Sequence, residues 1–404
     1  MARPQRDPLA APVRSAESLP EPQMESEVTA TRMELVERIL SKATPTIPAD
    51  LLLRQTLARR KQLSRGDGAW VSRAVFSVFR WKPWLDATTP LTAQIDQALA
   101  LADDLAINPS SLPDVDLAKA VPAWTNEVME TPGAWLRSLQ AEPVLWLRTR
   151  MEQTATVMET LGNCDRPSFA ALPQACRYDG QEDLFRHPIF QSGAFEIQDL
   201  ASQAVGLVCA PQSGETWWDA CAGEGGKTLH LSDLMGGKGL VWSSDRAEWR
   251  LQRLKQRAAR SGCFNYRSVV WNGGPKPPTK TIFDGVLVDA PCSGIGTWGR
   301  NPHARWSTRR EDVEELAVVQ RSLLDHVAGS IRPGGRLVYS VCTLSRAETS
   351  GVADAFMAAH PEFEPLDVVN PFAPEQPPSS RLLLWPQDTG GNGMFIAVWK
   401  RREG

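Results

Sequence analysis

Two patterns of apolar positions divide the chain. From Thr31 to about Ser138 they recur at helical spacing: Met33, Leu35-Val36, Ile39-Leu40 and Leu51–Leu53, then Val71, Val75, Val78-Phe79 and Trp81-Trp84. Side chains three and four positions apart share one helix face, so this stretch reads as a helical bundle, with Asp50 as an N-cap after Pro48. From Phe195 onward short β-branched runs alternate with helical segments, the pattern of a parallel sheet covered on both faces. Strands are predicted at Trp217–Asp219, Leu240–Ser243, Tyr266–Trp271, Phe283–Asp289, Arg336–Thr343, Phe363–Val369 and Met394–Lys400. Helices are predicted over Lys227–Met235, Arg246–Ser261, Arg310–Ser330 (ended by Pro333-Gly334-Gly335) and Ala347–Ala359. Between the two patterns, residues 139–194 read as a small α/β connector with a strand at Val144–Leu147. Residues 1–28, with Pro4, Pro8, Pro12, Pro20 and Pro22 among charged and small residues, read as a disordered tail. The predicted domains are therefore 1–28, 29–138, 139–194 and 195–404.

Composition narrows the class. The 404 residues are 42% hydrophobic and 23% charged, with a net charge of -3, so the chain as a whole is no polyanion binder. Local clusters would have to do that work, and Arg54, Arg59, Arg60, Lys61, Arg65, Arg73, Arg80 and Lys82 make one. From charge alone, a solvated bundle face accounts for it as well as an RNA-facing patch. No apolar run of membrane length and no leader is seen, seven cysteines include no C-x-x-C, and five histidines include no H-x-x-x-H. A cytoplasmic monomer without membrane, metal centre or disulfide framework is expected.

The chemistry centres on V-L-V-D-A-P-C-S-G-I-G, Val286–Gly296, where a doubly buried strand opens into a loop. In open α/β sheets ligands bind at such strand ends. A second strand-end thiol, Cys342, follows L-V-Y-S-V. Asp219–Thr228, D-A-C-A-G-E-G-G-K-T, places Gly223, Gly225 and Gly226 between a strand and a helix, where backbone can approach a ligand. A phosphate-binding P-loop would need glycine at Cys221, and a dinucleotide loop would need glycine at Thr228. A nucleoside-methionine cofactor such as S-adenosylmethionine remains, with Asp245 at the end of the next strand to accept ribose hydroxyls. Two thiols and an acid, Cys292, Cys342 and Asp289, suit methylation of cytosine C5. A thiolate adding to C6 turns the ring into a nucleophile, an acid holds the N3 edge, and a base must then remove the C5 proton. Cys164, Cys176, Cys209 and Cys263 lack such surroundings and read as small core residues.

These motifs, with D-A-P-C-S-G-I-G-T-W-G-R-N-P, R-W, Y-S-V-C-T-L-S-R-A-E and F-E-I-Q-D-L-A-S-Q, resemble the RsmB-like (Fmu/Sun) RNA 5-methylcytosine methyltransferases over residues 195–400, and more loosely over 31–150. The resemblance implies a Rossmann-like S-adenosylmethionine methyltransferase domain, a doubly wound and mostly parallel sheet, preceded by an all-helical NusB-like RNA-binding domain. It implies Cys342 as nucleophile, Cys292 as the thiol that helps resolve the adduct, Asp289 on the cytosine edge and Lys227 in the pocket. Cys221, Ala222, Gly223, Glu224, Gly225, Gly226, Lys227, Asp245, Arg250, Asn272 and Asp289 would bind the cofactor, and Arg300, Asn301 and Arg305 the RNA. Trp298 and Trp306 are expected to stack on splayed bases. The implied substrate is ribosomal RNA, then transfer RNA; an RNA-binding ribosome-assembly factor without turnover and a small-molecule methyltransferase are the alternatives. The sequence departs from the family at Gly223-Glu224 (Ala-Pro is usual), Asn272 (an acid), Val341 (Thr), Glu348-Thr349 (Glu-Asn) and Asn392-Gly393-Met394-Phe395 (Asp-Gly-Phe-Phe).

Overall fold

A computed structural model describes residues 31–60 and 63–404; the expected tail, 1–28, lies outside them, as does Lys61. The chain forms two compact units, one of residues up to Glu142 together with Thr297–Asp312, the other of Pro143–Gly296 and Val313–Gly404. The expected domains are cut differently: the stretch 297–312 joins the helical unit, and the connector shares a unit with the large sheet.

In the first unit, helices run over Arg32–Lys42, Ala49–Arg59, Arg65–Trp81 and Leu91–Ile107. Thr31 starts the first through a capping box with Glu34, and Ser64 caps the third by accepting from Asp67 N. The predicted stripe Val71, Val75, Val78 and Trp81 is buried. Pro48, not Asp50, occupies the N-cap of the second helix; Asp50 lies in its first turn and pairs with Arg54 at 3.5 Å. The predicted basic face is partly spent internally, since Arg73 pairs with Asp103 and Glu142, and Arg80 is buried and donates to Gly299 O at 3.1 Å.

Residues 297–312 are held in this unit by Arg305. It is fully buried, and its guanidinium lies within hydrogen-bonding reach of four backbone carbonyls, those of Arg80 (3.5 Å), Ala120 (3.0 Å), Leu139 (2.8 Å) and Trp298 (3.4 Å). Three of these stand at or near the ends of helical segments, where unpaired carbonyls concentrate negative charge. Burial, with Arg80 beside it, brings the Arg305 guanidinium down to about 9. Arg305 therefore cannot meet RNA as expected. Trp298 is also fully buried, stacked on Trp135 and edge-on to Trp124, and half-buried Trp306 donates to Phe79 O at 2.6 Å. The expected base-stacking pair belongs to the packing of this unit. Asn301 caps the helix Pro302–Ser307, while Arg300 is exposed.

The second unit holds two sheets, whose strands in chain order are β1 (Leu145–Thr149), β2 (Cys164–Asp165), β3 (Ala175–Tyr178), β4 (Phe195–Ile197), β5 (Thr216–Asp219), β6 (Leu240–Asp245), β7 (Tyr266–Val270), β8 (Phe283–Asp289), β9 (Ile331–Val341), β10 (Phe363–Pro365), β11 (Arg381–Leu384) and β12 (Met394–Arg401). The small sheet is antiparallel in the order β2-β3-β1-β4, so β4 pairs with the connector. The large sheet runs β10-β12-β9-β8-β5-β6-β7, with β11 also paired to β12. Its core β7-β6-β5-β8-β9 is parallel, and β12 joins β9 antiparallel. Trp217, Val241, Leu287, Val338 and Ile396 from adjacent strands pack with the helix Leu200–Cys209. Strand β9 begins at Ile331 rather than Arg336, because the ladder to β8 shifts register and carries Pro333-Gly334-Gly335 as an irregularity.

Replacing Arg305 by methionine removes the donor from four buried carbonyls. Arg305→Met is expected to lower the unfolding free energy by about 2–4 kcal/mol, whereas Arg300→Met, at an exposed position, shifts it by less than about 0.5 kcal/mol. Urea denaturation of the two variants checks this.

Candidate active site

Parallel pairing brings the strand ends together. Asp289 closes β8 opposite Ser340 of β9, so chain leaving these neighbouring strands emerges side by side. Cys292 and Cys342, both free and half-buried, meet there with their sulfurs 3.3 Å apart. Lys227, in the first turn of the helix Gly226–Leu234, donates to Asp289 Oδ2 at 2.6 Å, and Ser340 Oγ donates to Oδ1 at 2.8 Å. Burial alone would pull the Lys227 ammonium down, but Asp289, with a smaller contribution from Cys342, outweighs it and holds the group above its ordinary range. The hydrogen bond with Cys342, and then burial, pushes the Cys292 thiol well up.

Glu348 holds this geometry and was visible in the sequence only as part of a motif. It is fully buried. Its Oε1 accepts from Ser293 N (2.8 Å) and Gln320 Nε2 (3.0 Å), and its Oε2 from the hydroxyls of Ser293 (2.5 Å), Thr343 (3.0 Å) and Ser345 (2.8 Å). Ser293 follows Cys292 and Thr343 follows Cys342, so one carboxylate clamps the neighbours of both thiols. A buried carboxylate is tolerable because its acceptor sites are filled. A second tie closes the loop from behind: Gly296 N donates to Cys342 O at 3.1 Å and Gly393 N to Gly296 O at 2.8 Å. A Cβ on Gly296 would stand 2.3 Å from Gly393 O, so the two backbones meet only because both are glycine.

The glycine loop forms a second neighbourhood at the ends of β5 and β6. Gly223 and Gly225 take φ of +54° and +87°, and a Cβ on Gly225 would lie 2.6 Å from Leu254 Cγ. Asp245 Oδ2 accepts from Gly223 N at 3.0 Å and Oδ1 from Ala247 N at 2.8 Å, with Arg250 Nη1 3.8 Å away. Ala222 N donates to Ser244 O at 2.8 Å, and Glu224 faces Arg253 at 3.8 Å. Desolvation pushes the Cys221 thiol well up. Asn272 is exposed, and its Oδ1 accepts from Gly274 N at 3.0 Å in a local turn. The structure thus gathers Cys221–Lys227, Asp245 and Arg250 around the loop, and Asp289, Cys292 and Cys342 around the thiol pair, with Lys227 belonging to both.

Under the loop, Asp219 is fully buried. Its Oδ2 accepts from Thr228 Oγ1 at 2.7 Å, and its Oδ1 has no hydrogen-bond partner. Burial pushes its carboxyl up to about 7.

A parallel sheet of this order, a glycine loop after its first strand and reactive groups at its carboxyl ends define a Rossmann-like methyltransferase domain. Residues 206–400 match the family described as 16S rRNA methyltransferase RsmB/F. It is 35% identical over 262 residues to the probable ribosomal RNA small subunit methyltransferase B of Synechocystis sp., covering 63% of this chain and 58% of that protein. To the probable methyltransferase B of Bacillus subtilis it is 36% identical over 223 residues, covering 53% and 49%. The chain spans about half the length of these curated relatives. In fold it is similar to the crystal structure of PH0851, with a TM-score of 0.75 at 21% identity over 93% of this chain and 100% of that one. It is also similar to NSun6 from Pyrococcus horikoshii with SFG, with a TM-score of 0.57 at 19% identity over 67% and 94%.

Two outcomes follow from the buried carboxylates. Glu348→Ala leaves five donors without their acceptor and is expected to lower the unfolding free energy by about 3–5 kcal/mol, with Glu348→Gln less damaging, as read from urea denaturation. Asp219 binds its proton more tightly folded than unfolded, so between about pH 4 and pH 7 the folded state holds the extra proton and stability falls as pH rises. Asp219→Asn, which still accepts from Thr228, should flatten that part of a stability–pH profile measured by thermal unfolding.

Proposed function

We propose that the chain methylates C5 of a cytosine in RNA, with S-adenosylmethionine as methyl donor and small-subunit ribosomal RNA as substrate. The reading rests on one observation above the others: two free thiols 3.3 Å apart at adjacent strand ends, beside the Lys227–Asp289 pair. The names of its relatives support the choice of RNA.

The residues around the glycine loop fit the cofactor. The position a Cβ would take on Gly223 has no atom within 4 Å, which leaves room for a ligand. Each oxygen of Asp245 accepts one backbone N–H and has a further lone pair for a ribose hydroxyl. The amino end of the helix Gly226–Leu234 suits a carboxylate. Cys221, Ala222, Gly223, Glu224, Gly225, Gly226, Lys227, Asp245, Arg250, Asn272 and Asp289 are the proposed holding residues, of which Asn272 would have to contribute its amide nitrogen. When bound, S-adenosylmethionine supplies an electrophilic methyl group.

The chain's own groups do the rest. Cytosine C5 is a poor nucleophile until sulfur adds at C6, and Cys342 makes that bond, with the positive charge of Lys227 nearby. Asp289, fixed by Lys227 and Ser340, accepts from the exocyclic amine and orients the ring. Once the Cys342 sulfur is bonded to C6, Cys292 loses the hydrogen-bond partner that held its pKa up. It then gives its own proton to solvent more readily and, as the thiolate, accepts the C5 proton, and elimination frees Cys342. Of the residues expected on RNA, exposed Arg300 keeps that role in the proposal, with Asn301 setting the turn beside it.

Transfer of labelled methyl to small-subunit ribosomal RNA tests the reading. The wild type should label cytosine C5, Cys342→Ala should lose at least about a thousandfold in rate, and Cys292→Ala should accumulate RNA-linked protein. Full activity in both variants overturns the mechanism. A wild type that binds cofactor yet labels no RNA points instead to the assembly factor.

A further inference from the structure

We propose that Cys292 and Cys342 are also an oxidative modification site, a dithiol that a hydroperoxide converts into an intrachain disulfide. The sulfurs stand 3.3 Å apart, and a disulfide needs about 2 Å, so closure takes an approach of about 1.3 Å. Both residues lie beyond the ends of their strands, in loop rather than ladder, so side-chain rotation and a small loop shift can supply it. The Glu348 clamp keeps the adjoining residues together, so the encounter does not depend on a chance loop motion. Both thiols are half-buried rather than sealed, which admits a small oxidant.

The chemistry balances with one hydroperoxide. Cys342 attacks a peroxide oxygen and its thiol proton passes to the departing oxygen; the O–O bond breaks, an alcohol or water leaves, and Cys342 becomes a sulfenic acid. Cys292 then attacks that sulfur, the S–S bond forms, the S–O bond breaks, and water carries away the oxygen and the last proton. Two thiols are oxidised by two electrons in all, and the hydroperoxide is reduced by two. A resolving thiol this close intercepts the sulfenic acid before further oxidation. The other five cysteines are poor competitors: burial pushes Cys164 and Cys176 up to about 11 and raises Cys209, Cys221 and Cys263 as well. The effect on catalysis rests on the function proposed above, because the disulfide would withdraw the nucleophile and its partner together.

The test treats the reduced full-length protein with hydrogen peroxide, alkylates the remaining thiols and maps the peptides. The expected result is a linked Cys292–Cys342 peptide, reversed by dithiothreitol, with no sulfenic acid trapped by dimedone. Cys292→Ser should instead give a dimedone adduct on Cys342. Wild-type protein that forms a dimedone adduct or higher oxides at Cys342 with no linked peptide, or that links another cysteine, overturns the inference, and this needs no variant to fold. Methyl transfer on the same samples separates the two claims. A linked peptide with full transfer supports the oxidation site and overturns the catalytic reading.

Discussion

A single buried carboxylate sets the spacing on which the site depends. Glu348 sits below two loops that leave neighbouring parallel strands, and water cannot reach it to complete its hydrogen bonds. Its acceptor sites must be filled by protein, and the donors come from Ser293 and Thr343, each next to a thiol, together with Gln320 and Ser345. The high cost of a stranded buried charge therefore becomes a positional constraint on Cys292 and Cys342. Parallel strand register sets where the loops begin, and the clamp sets where the sulfurs end.

The helical unit solves a related problem with the opposite sign. Arg305 is a buried cation that donates to four peptide carbonyls, three of them at or near the negative ends of helical segments. Its partners come from positions far apart in the chain, so it draws the stretch 297–312 into that unit. Near the glycine loop the compromise is different again. Asp289 balances Lys227, Asp245 accepts backbone N–H groups from the loop it supports, and Asp219 is left with one oxygen unpartnered.

Much of this was legible in the sequence where local pattern and chemistry coincide. The apolar run ending in Asp289 marked β8, Trp217-Trp218 marked β5, and glycines at 223, 225 and 226 marked the loop between β5 and its helix. What was not legible depends on distant partners. Arg305, Trp298 and Trp306 have the composition of an RNA-binding loop, and only their partners at Arg80, Ala120, Leu139, Trp135 and Phe79 reveal them as packing. Phe195–Ile197 reads as the entry to the large sheet but pairs with β1 of the small one. Leu382, Leu383 and Leu384 hide the alternation of β11, since only burial distinguishes the middle leucine from its neighbours. Glu348 was a lone acid after a hydroxyl-rich run. A useful signal would have been the series Thr343, Ser345 and Glu348, side chains able to converge when the chain turns sharply before a helix.

The central claim is that the Cys342 sulfur bonds to cytosine C6. An RNA substrate carrying 5-fluorocytosine at the target tests it most directly, because fluorine at C5 cannot leave as a proton and the adduct persists after methyl transfer. Protease mapping of the RNA-linked protein should place the bond on Cys342 and require S-adenosylmethionine for the methylated adduct. A bond to Cys292, or no linked protein from an enzyme that still methylates unmodified RNA, would contradict the account.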